Sequence, residues 1–177
     1  MQFRIVVLIV VLFACSSVAF GTAQSPDILI YKGQEYPIYN EPMELYFAKN
    51  PERRPKFCGG RSDLWRGYVA YIEVVDDQLI LKDIRIHTVN PADPLCLKYS
   101  KLSEVAPDGK PFKLDWYSGS LTAAYGEHIG DLDFYNVWKV WEKYTLFDIQ
   151  KGVLKNVRHF TNAEYQTYLE KIDRKPN

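Results

Sequence analysis

One short segment of this 177-residue chain holds four side chains whose types suit catalysis or metal binding. Glu127 and His128 are adjacent, and Asp131 and Asp133 follow within a few residues. A histidine beside carboxylates can transfer protons, and imidazole and carboxylate groups together can bind a divalent cation. The alternative interpretation, a polar surface loop, is the one we favour. The segment therefore predicts a metal or acid–base site only as the second hypothesis.

Two residue pairs predict a different kind of site, an aromatic surface for stacking. They are Trp65–Arg66 and Trp116–Tyr117. A ring face with an arginine beside it can stack on sugars or other small ligands. Packing in the core is the alternative, because β-rich domains use Trp and Tyr to bury large areas.

Short motifs of common enzymes are missing from the sequence. There is no G-x-S-x-G, no P-loop, no dinucleotide fingerprint and no H-E-x-x-H. His87 and His159 each stand alone near the end of a predicted strand, and we interpret both as structural or solvated. We therefore predict no catalytic residue and no cofactor.

Residues 1–23 have the pattern of an export signal. Arg4 precedes an unbroken apolar run over 5–14, and small residues follow, ending in Gly21-Thr22-Ala23. Cleavage after Ala23 would release a periplasmic or secreted domain that spans 24–177. This compartment then decides the redox state and the partners of the protein.

Two other fates of this segment stay open. Leu12-Phe13-Ala14-Cys15 resembles a lipobox, and cleavage before Cys15 would leave a lipid-anchored protein. An uncleaved anchor is the third alternative, although the stretch over 5–21 is at the short end of what spans a bilayer. We predict no membrane span in the mature chain.

Composition limits the partners of the predicted domain of about 154 residues. The whole chain has 22 basic and 22 acidic residues, and loss of Arg4 leaves 21 against 22. The chain therefore lacks the excess of basic residues that would indicate nucleic acid or anionic lipid as a partner. The 13 Tyr, 9 Phe and 4 Trp favour strands and a packed core.

Two cysteines remain beyond the signal, Cys58 and Cys96. In an oxidising compartment they predict a disulfide, which would close a loop of about forty residues and stabilise the fold by about 4 kcal/mol. Inert free thiols and a catalytic cysteine are the alternatives. Neither a C-x-x-C nor a histidine at ligand spacing supports a metal site.

Alternating apolar and polar residues predict hairpins along most of the chain. They cover 27–31 with 35–39, 67–75 with 79–86, and 138–149 with 153–160. Pro37 places its strand at a sheet edge. A strand over 112–117 and a continuation over 121–125 complete the predicted sheet, whereas 97–105 resembles a short helix.

Two helices are predicted near the ends of the domain. Asn40 would cap a short one that contains Pro42, and Thr161–Glu164 forms a capping box for the other, over 162–172. The second helix has an apolar face made of Tyr165, Tyr168, Leu169 and Ile172. The predicted fold is α+β, with an antiparallel β-sheet built from hairpins, a short N-terminal helix and a C-terminal helix packed on the sheet.

Several segments together resemble a family of small, uncharacterised bacterial proteins. Leu64-Trp65-Arg66-Gly67-Tyr68 carries a W-R-G-Y segment, and Asp115-Trp116-Tyr117-Ser118-Gly119 carries W-[FY]-[ST]-G. The likeness extends over roughly 64–160, and includes Gly126-Glu127 and the Lys151-Gly152 turn. It implies no activity, ligand or site residue, and Asp131-Leu132-Asp133-Phe134 replaces the glycine- and histidine-rich loop of that family.

The leading functional prediction is a non-catalytic exported domain that binds an unknown ligand or protein of the cell envelope or the exterior. A hydrolase or metal-dependent enzyme that uses Glu127, His128, Asp131 and Asp133 is the second prediction. A lipid-anchored structural component of the envelope is the third.

Overall fold

The computed structural model describes residues 24–56, 62–87, 98–131 and 139–173. The predicted signal, both cysteines of the predicted disulfide (Cys58 and Cys96) and Asp133 lie outside these residues. In the described part, strands predominate and three α-helices accompany them. The strands are β1 (Asp27–Tyr31), β2 (Gln34–Ile38), β3 (Tyr68–Val75), β4 (Gln78–His87), β5 (Lys98–Ser100), β6 (Phe112–Lys113), β7 (Gly119–Asp131), β8 (Lys139–Gln150) and β9 (Val153–Thr161).

The sheet is mixed, so the prediction of a purely antiparallel sheet is wrong. β1 pairs antiparallel with β2 but parallel with β3, with Leu29 opposite Ile72. A parallel pair needs a long crossover connection, and here β2 and the first helix lie between the two strands. Hairpin patterns report only neighbours in sequence, and therefore do not reveal this pairing.

Strand pairing closes on itself. The order is β3-β1-β2-β7-β8-β9-β4, and β4 pairs back with β3, while β5 and β6 add to β4. The β9–β4 junction is a single residue pair, Gln78 with Val153, and the Leu79 N–H donates to the Gly152 carbonyl at 2.8 Å beside it. β2 also joins β7 through one pair, Ile38 with Ala123. Pro37 is therefore not on an edge strand, although it pairs only towards β1.

The three predicted hairpins are present, and a two-residue turn with positive φ at both positions explains each of them; in the first, Lys32 and Gly33 have φ 51° and 77°. Asp76 and Asp77 both have positive φ, 48° and 60°, as a two-residue hairpin turn with matched twist requires. Lys151 and Gly152 repeat this geometry between β8 and β9. The predicted strand over 112–117 is shorter, since only Phe112 and Lys113 pair, with β4.

Helices α1 (Pro42–Lys49), α2 (Leu102–Val105) and α3 (Asn162–Asp173) differ in how they begin. Glu41, not Asn40, is the cap residue of α1, at φ 48°, and no side chain caps this helix. The Asn40 Oδ1 instead accepts a hydrogen bond from the Thr122 N–H at 2.6 Å. The described part of the helix predicted over 97–105, residues 98–105, instead contains β5 and α2.

The capping box of α3 is present as predicted. The Glu164 Oε2 accepts from the Thr161 N–H at 2.8 Å, and the Thr161 Oγ1 accepts from the Glu164 N–H at 3.4 Å. The helix thus begins at the end of β9 and lies against β8 and β9, which positions its inner face beside these strands.

The core lies inside the closed sheet and under α1. Its buried members come from most of the strands, and they include Leu29, Ile38, Phe47, Tyr68, Ile72, Leu81, Leu121 and Phe147. Aromatic rings meet edge to face at its centre, with Tyr36 5.2 Å from Phe147. Such edge-to-face pairs stabilise the fold in addition to the free energy gained by burying apolar surface.

Candidate functional site

The four aromatic-surface residues predicted from sequence do not form one exposed patch. Trp65 is 57% exposed, whereas Arg66 is 2% and Tyr117 is 6% exposed. Trp116 packs in an aromatic cluster, with its ring 4.9 Å from that of Tyr46. Of the four, Trp65 has the most exposed ring, since Trp116 is half-buried in that cluster, and Arg66 instead serves a buried network.

Arg66 is saturated with partners inside the protein. Its Nη1 donates to the Glu41 Oε1 at 2.7 Å, and its Nη2 donates to the Asp27 Oδ1 at 2.9 Å and to the Ser25 carbonyl at 2.8 Å. Its Nε donates to the Tyr68 carbonyl at 3.0 Å. A buried guanidinium with this many acceptors ties β1, β3 and the cap of α1 together, and is not available to a ligand.

Asp27 is fully buried beside it. Its Oδ1 accepts from Arg66 and from the Ala70 N–H at 2.8 Å, but its Oδ2 has no partner among the described residues. Burial raises the pKa of Asp27 to about 6, and the nearby Arg66 charge only partly offsets this. The Arg66–Asp27 pair therefore holds β1 and β3 in place, although burying these groups costs solvation free energy.

A second polar cluster fastens α1 to the sheet. The Glu44 carboxylate accepts two hydrogen bonds from Arg54, both at 2.9 Å, and one from the Tyr68 hydroxyl at 2.7 Å. Burial alone would raise the pKa of Glu44, but these bonds hold it below its usual value. Arg54 also lies over the Phe47 ring. The arginine is thus a structural partner of α1 rather than a solvated surface charge.

The predicted metal or acid–base residues are only partly described. Glu127 and His128 lie on β7, where the His128 ring is 6.0 Å from that of Trp141. Asp131 ends this strand without a described side chain, and Asp133 lies outside the described residues. Within 24–56, 62–87, 98–131 and 139–173, no three His, Cys, Asp or Glu side chains are grouped as a metal would require. The four-residue site stays a prediction.

A surface groove lies between β9 and α3, at residues that the sequence did not single out for binding. We call it the β9–α3 groove. It consists of two adjoining hollows of about 500 and 280 Å³, which share His159, Phe160 and Glu164. The other lining residues are Ala163, Thr167, Tyr168 and Lys171 at the helix end, and Tyr125, Lys143 and Thr161 at the sheet end.

His159 is held by a chain of hydroxyl groups under the groove. Its Nδ1 is 2.9 Å from the Thr145 Oγ1, which is itself 2.9 Å from the Tyr125 hydroxyl. Thr145 is fully buried, so these contacts satisfy its hydroxyl group. Nε2 is then the ring nitrogen of His159 that has no partner within the described residues, and it is the one that a ligand can use.

A β-bulge explains why the sequence does not reveal this arrangement. The pairs next to the β8–β9 turn are Gln150 with Val153 and Ile149 with Leu154, but the next pair is Asp148 with Asn156. Lys155 is therefore an extra residue in β9. Without it, the regular count would place Thr145 opposite the neighbour of His159, and the histidine would point to the other face.

Aromatic stacking fixes the helix wall of the groove. The Tyr165 ring lies 4.1 Å from that of Tyr144 and almost parallel to it. Tyr168 contacts Phe160 at 5.3 Å, and the Arg158 guanidinium lies 4.9 Å over the Tyr168 ring. Half of the predicted apolar face of α3 thus packs on the sheet. The other half, Leu169 and Ile172, is 37% and 45% exposed.

The groove has both acidic and basic groups. Glu164 is a carboxylate, since hydrogen bonds from the Thr161 backbone and hydroxyl hold its pKa below the usual value. Lys143 and Lys171 belong to opposite ends of the lining. Rings, a histidine, hydroxyl groups and charged side chains are the components from which small-molecule sites are built.

Comparison with protein-family models, curated proteins and solved structures finds no match to this chain. The family resemblance of the sequence therefore stays a prediction. Among the described residues, no helix is long and apolar enough to cross a bilayer.

Proposed function

We propose that this protein is an exported, non-catalytic domain that binds a glycan of the cell envelope or the exterior in the β9–α3 groove. The observation that carries the proposal is the groove itself. Its walls combine the Phe160 and Tyr168 rings with hydrogen-bonding groups of His159, Glu164 and Thr167.

A sugar ring has an apolar face and a rim of hydroxyl groups. An aromatic wall suits the face, and carboxylate, imidazole and hydroxyl groups suit the rim. Binding also needs a preorganised surface, since each side chain that must be ordered costs free energy. Tyr168 is ordered by Phe160 and Arg158, and His159 is ordered by Thr145, so this cost is reduced in advance.

The shape of the groove favours an extended ligand. The two hollows share His159, Phe160 and Glu164. Tyr125, Lys143 and His159 lie on the Thr145 face of the β8–β9 pair, whereas Phe160 and α3 lie on the Tyr144 face, so the hollows meet at β9. An oligosaccharide that bends around this strand can therefore contact both. The predicted export signal is consistent with this proposal, because it would bring the domain to a compartment where glycans are abundant.

A blocking substitution tests the proposal without removing a lining group that the fold needs. Thr167 is exposed on α3 and lines the groove, so Thr167→Trp should fill it. Gln166→Trp, on the same helix but outside the lining, is the matched control. The full chain, purified as its host processes it, is applied to insoluble envelope polysaccharide from that host.

We expect the native protein and Gln166→Trp to be retained on the polysaccharide, and Thr167→Trp to lose most of its retention. Circular dichroism checks that both variants keep their helix content. Equal retention of the two tryptophan variants, or no retention of the native protein, would refute the proposal.

A further inference from the structure

The two lysines of the groove indicate what kind of glycan it takes. Lys143 comes from β8 and lines the hollow at the sheet end, whereas Lys171 comes from the last turn of α3 and lines the hollow at the helix end. Two different elements thus each supply one ammonium group to the same groove. His159 lines both hollows, and its Nε2 can donate to a ligand when the Thr145 hydroxyl donates to Nδ1.

The single carboxylate of the lining, Glu164, stands against two ammonium groups, so an excess of positive charge remains. The Glu164 Oε2 already accepts from the Thr161 N–H at 2.8 Å and from the Thr161 hydroxyl at 2.9 Å. Lys143 has one weak partner, since its Nζ lies 3.3 Å from the Glu142 Oε1 and both side chains are about half exposed. An exposed ion pair of this kind contributes little and can exchange its partner.

Resting on the proposed function, we propose that the β9–α3 groove binds an acidic glycan, whose anionic groups pair with Lys143 and Lys171 while a sugar ring packs on the aromatic wall. Carboxylate, sulfate and phosphate groups share this chemistry. The hydroxyl chain from Tyr125 through Thr145 to His159 supports the assignment. When the Tyr125 hydroxyl donates to Thr145 and Thr145 donates to Nδ1, the proton of neutral His159 is on Nε2. Protonated His159 also carries a proton there, and an N–H donor suits an anion.

The proposal predicts that removal of the two lysines weakens the binding of acidic oligomers but not of neutral ones. Calorimetry of the full chain compares oligogalacturonate, its neutral methyl ester and a sulfated oligogalactan of equal length. The variant is Lys143→Gln with Lys171→Gln. Lys155→Gln, an exposed lysine of β9 outside the groove lining, is the control for loss of positive charge.

We expect at least one acidic oligomer to bind about tenfold more tightly than the neutral ester at low salt, and this preference to shrink as salt is added. The double variant should lose about tenfold in affinity for that oligomer and keep its affinity for the ester, whereas Lys155→Gln should behave as the native protein. Equal binding of acidic and neutral oligomers, or an unchanged double variant, would overturn the acidic preference and leave the glycan proposal standing. Binding of none of the three would overturn both.

Discussion

Asp27 is a buried carboxylate that helps to determine where β1 and β3 meet. It has no exposed surface, one of its oxygens lacks a partner within the described residues, and its neighbour Arg66 shares its charge with Glu41. Burying an ion pair costs solvation free energy that the pairing returns only in part, but removing one partner leaves the other group buried without its counter-charge. The pair therefore specifies where β1 and β3 meet more than it stabilises them.

The raised pKa of Asp27 predicts an unusual dependence of stability on pH. Folded Asp27 takes up its proton near pH 6 and unfolded Asp27 near pH 3.8, so the folded state binds more protons between these values. The free energy of unfolding of the native protein should therefore rise relative to that of Asp27→Asn as the pH falls from 7 to 4. The gain should be at most about 3 kcal/mol.

Urea unfolding of both proteins at several pH values measures this difference. Glu44, whose pKa is lowered, loses stabilisation over the same acid range, but it does so in both proteins and cancels. A difference that stays constant or falls with decreasing pH would contradict a raised pKa of Asp27.

Arg66 should be far more sensitive to truncation than another arginine with less burial. Arg66→Ala removes four hydrogen bonds and the positive charge beside buried Asp27, which must then take up a proton or remain charged without a partner. We expect a loss of about 3–5 kcal/mol in the free energy of unfolding. Arg53, whose Nη1 makes one long hydrogen bond of 3.4 Å to the Ala106 carbonyl, is the control, and Arg53→Ala should cost less than about 1 kcal/mol. Similar losses for the two variants would show that the Arg66 network does not hold the fold.

At the scale of elements, the turn of the β8–β9 hairpin is hydrogen-bonded to the neighbouring segments of the sheet. Gly152 has φ 72°, its N–H donates to the Tyr117 carbonyl at 2.8 Å, and its carbonyl accepts from Leu79. A Cβ on this residue would lie 2.7 Å from the Leu114 carbonyl oxygen. The turn is thus packed against the backbone that follows β6, and only glycine fits.

Two glycines with similar φ angles allow the free-energy cost of backbone strain to be distinguished from the cost of steric crowding. Gly33 has φ 77° in the β1–β2 turn, and a Cβ there would meet nothing within 4 Å. We expect Gly33→Ala to cost about 1 kcal/mol through its backbone angle alone. Gly152→Ala should cost about 3 kcal/mol or more, because backbone atoms must move as well. Thermal unfolding of both variants provides the comparison, and equal costs would argue against close packing at Gly152.

Local patterns predicted the elements better than they predicted their pairing. Alternating residues and turn chemistry were enough for the β3–β4 and β8–β9 hairpins, and the Thr161–Glu164 spacing was enough for the start of α3. The parallel β1–β3 pair depends on contacts distant in sequence. The extra residue at Lys155 changes which face His159 occupies. Its trace in the sequence is that core-facing Leu154 and Val157 are three residues apart instead of two, a break that the hairpin prediction did not use.

The predicted site residues also differ in burial, and residue type alone does not predict which of them are buried. Arg66 follows an exposed tryptophan in sequence, yet it is fully enclosed because Asp27, Glu41 and the Tyr68 carbonyl all converge on it. His159 was interpreted as structural or solvated, and it is both exposed and hydrogen-bonded to buried Thr145. Only the folded sheet shows that these features occur together in a groove.

For the whole molecule, export and the predicted disulfide are tested by mass. Intact-mass analysis of protein recovered from its own host should give a chain that begins at Gln24. On reduction its mass should rise by about two hydrogens, because Cys58 and Cys96 become thiols. A lipid-modified chain that begins at Cys15 would replace the released domain by an anchored one. No change on reduction would refute the disulfide.

The closed sheet and α3 together form the β9–α3 groove, whose aromatic wall is ordered before any ligand binds. The most direct test is a ¹⁵N-resolved NMR titration of the full chain with oligogalacturonate and, separately, with the sulfated oligogalactan. We expect the largest shift changes at His159, Thr167 and Tyr168, with little change around Trp65. Shift changes confined to Glu127 and His128 or to Trp65, or none in the groove, would contradict the assignment of the β9–α3 groove as the ligand site.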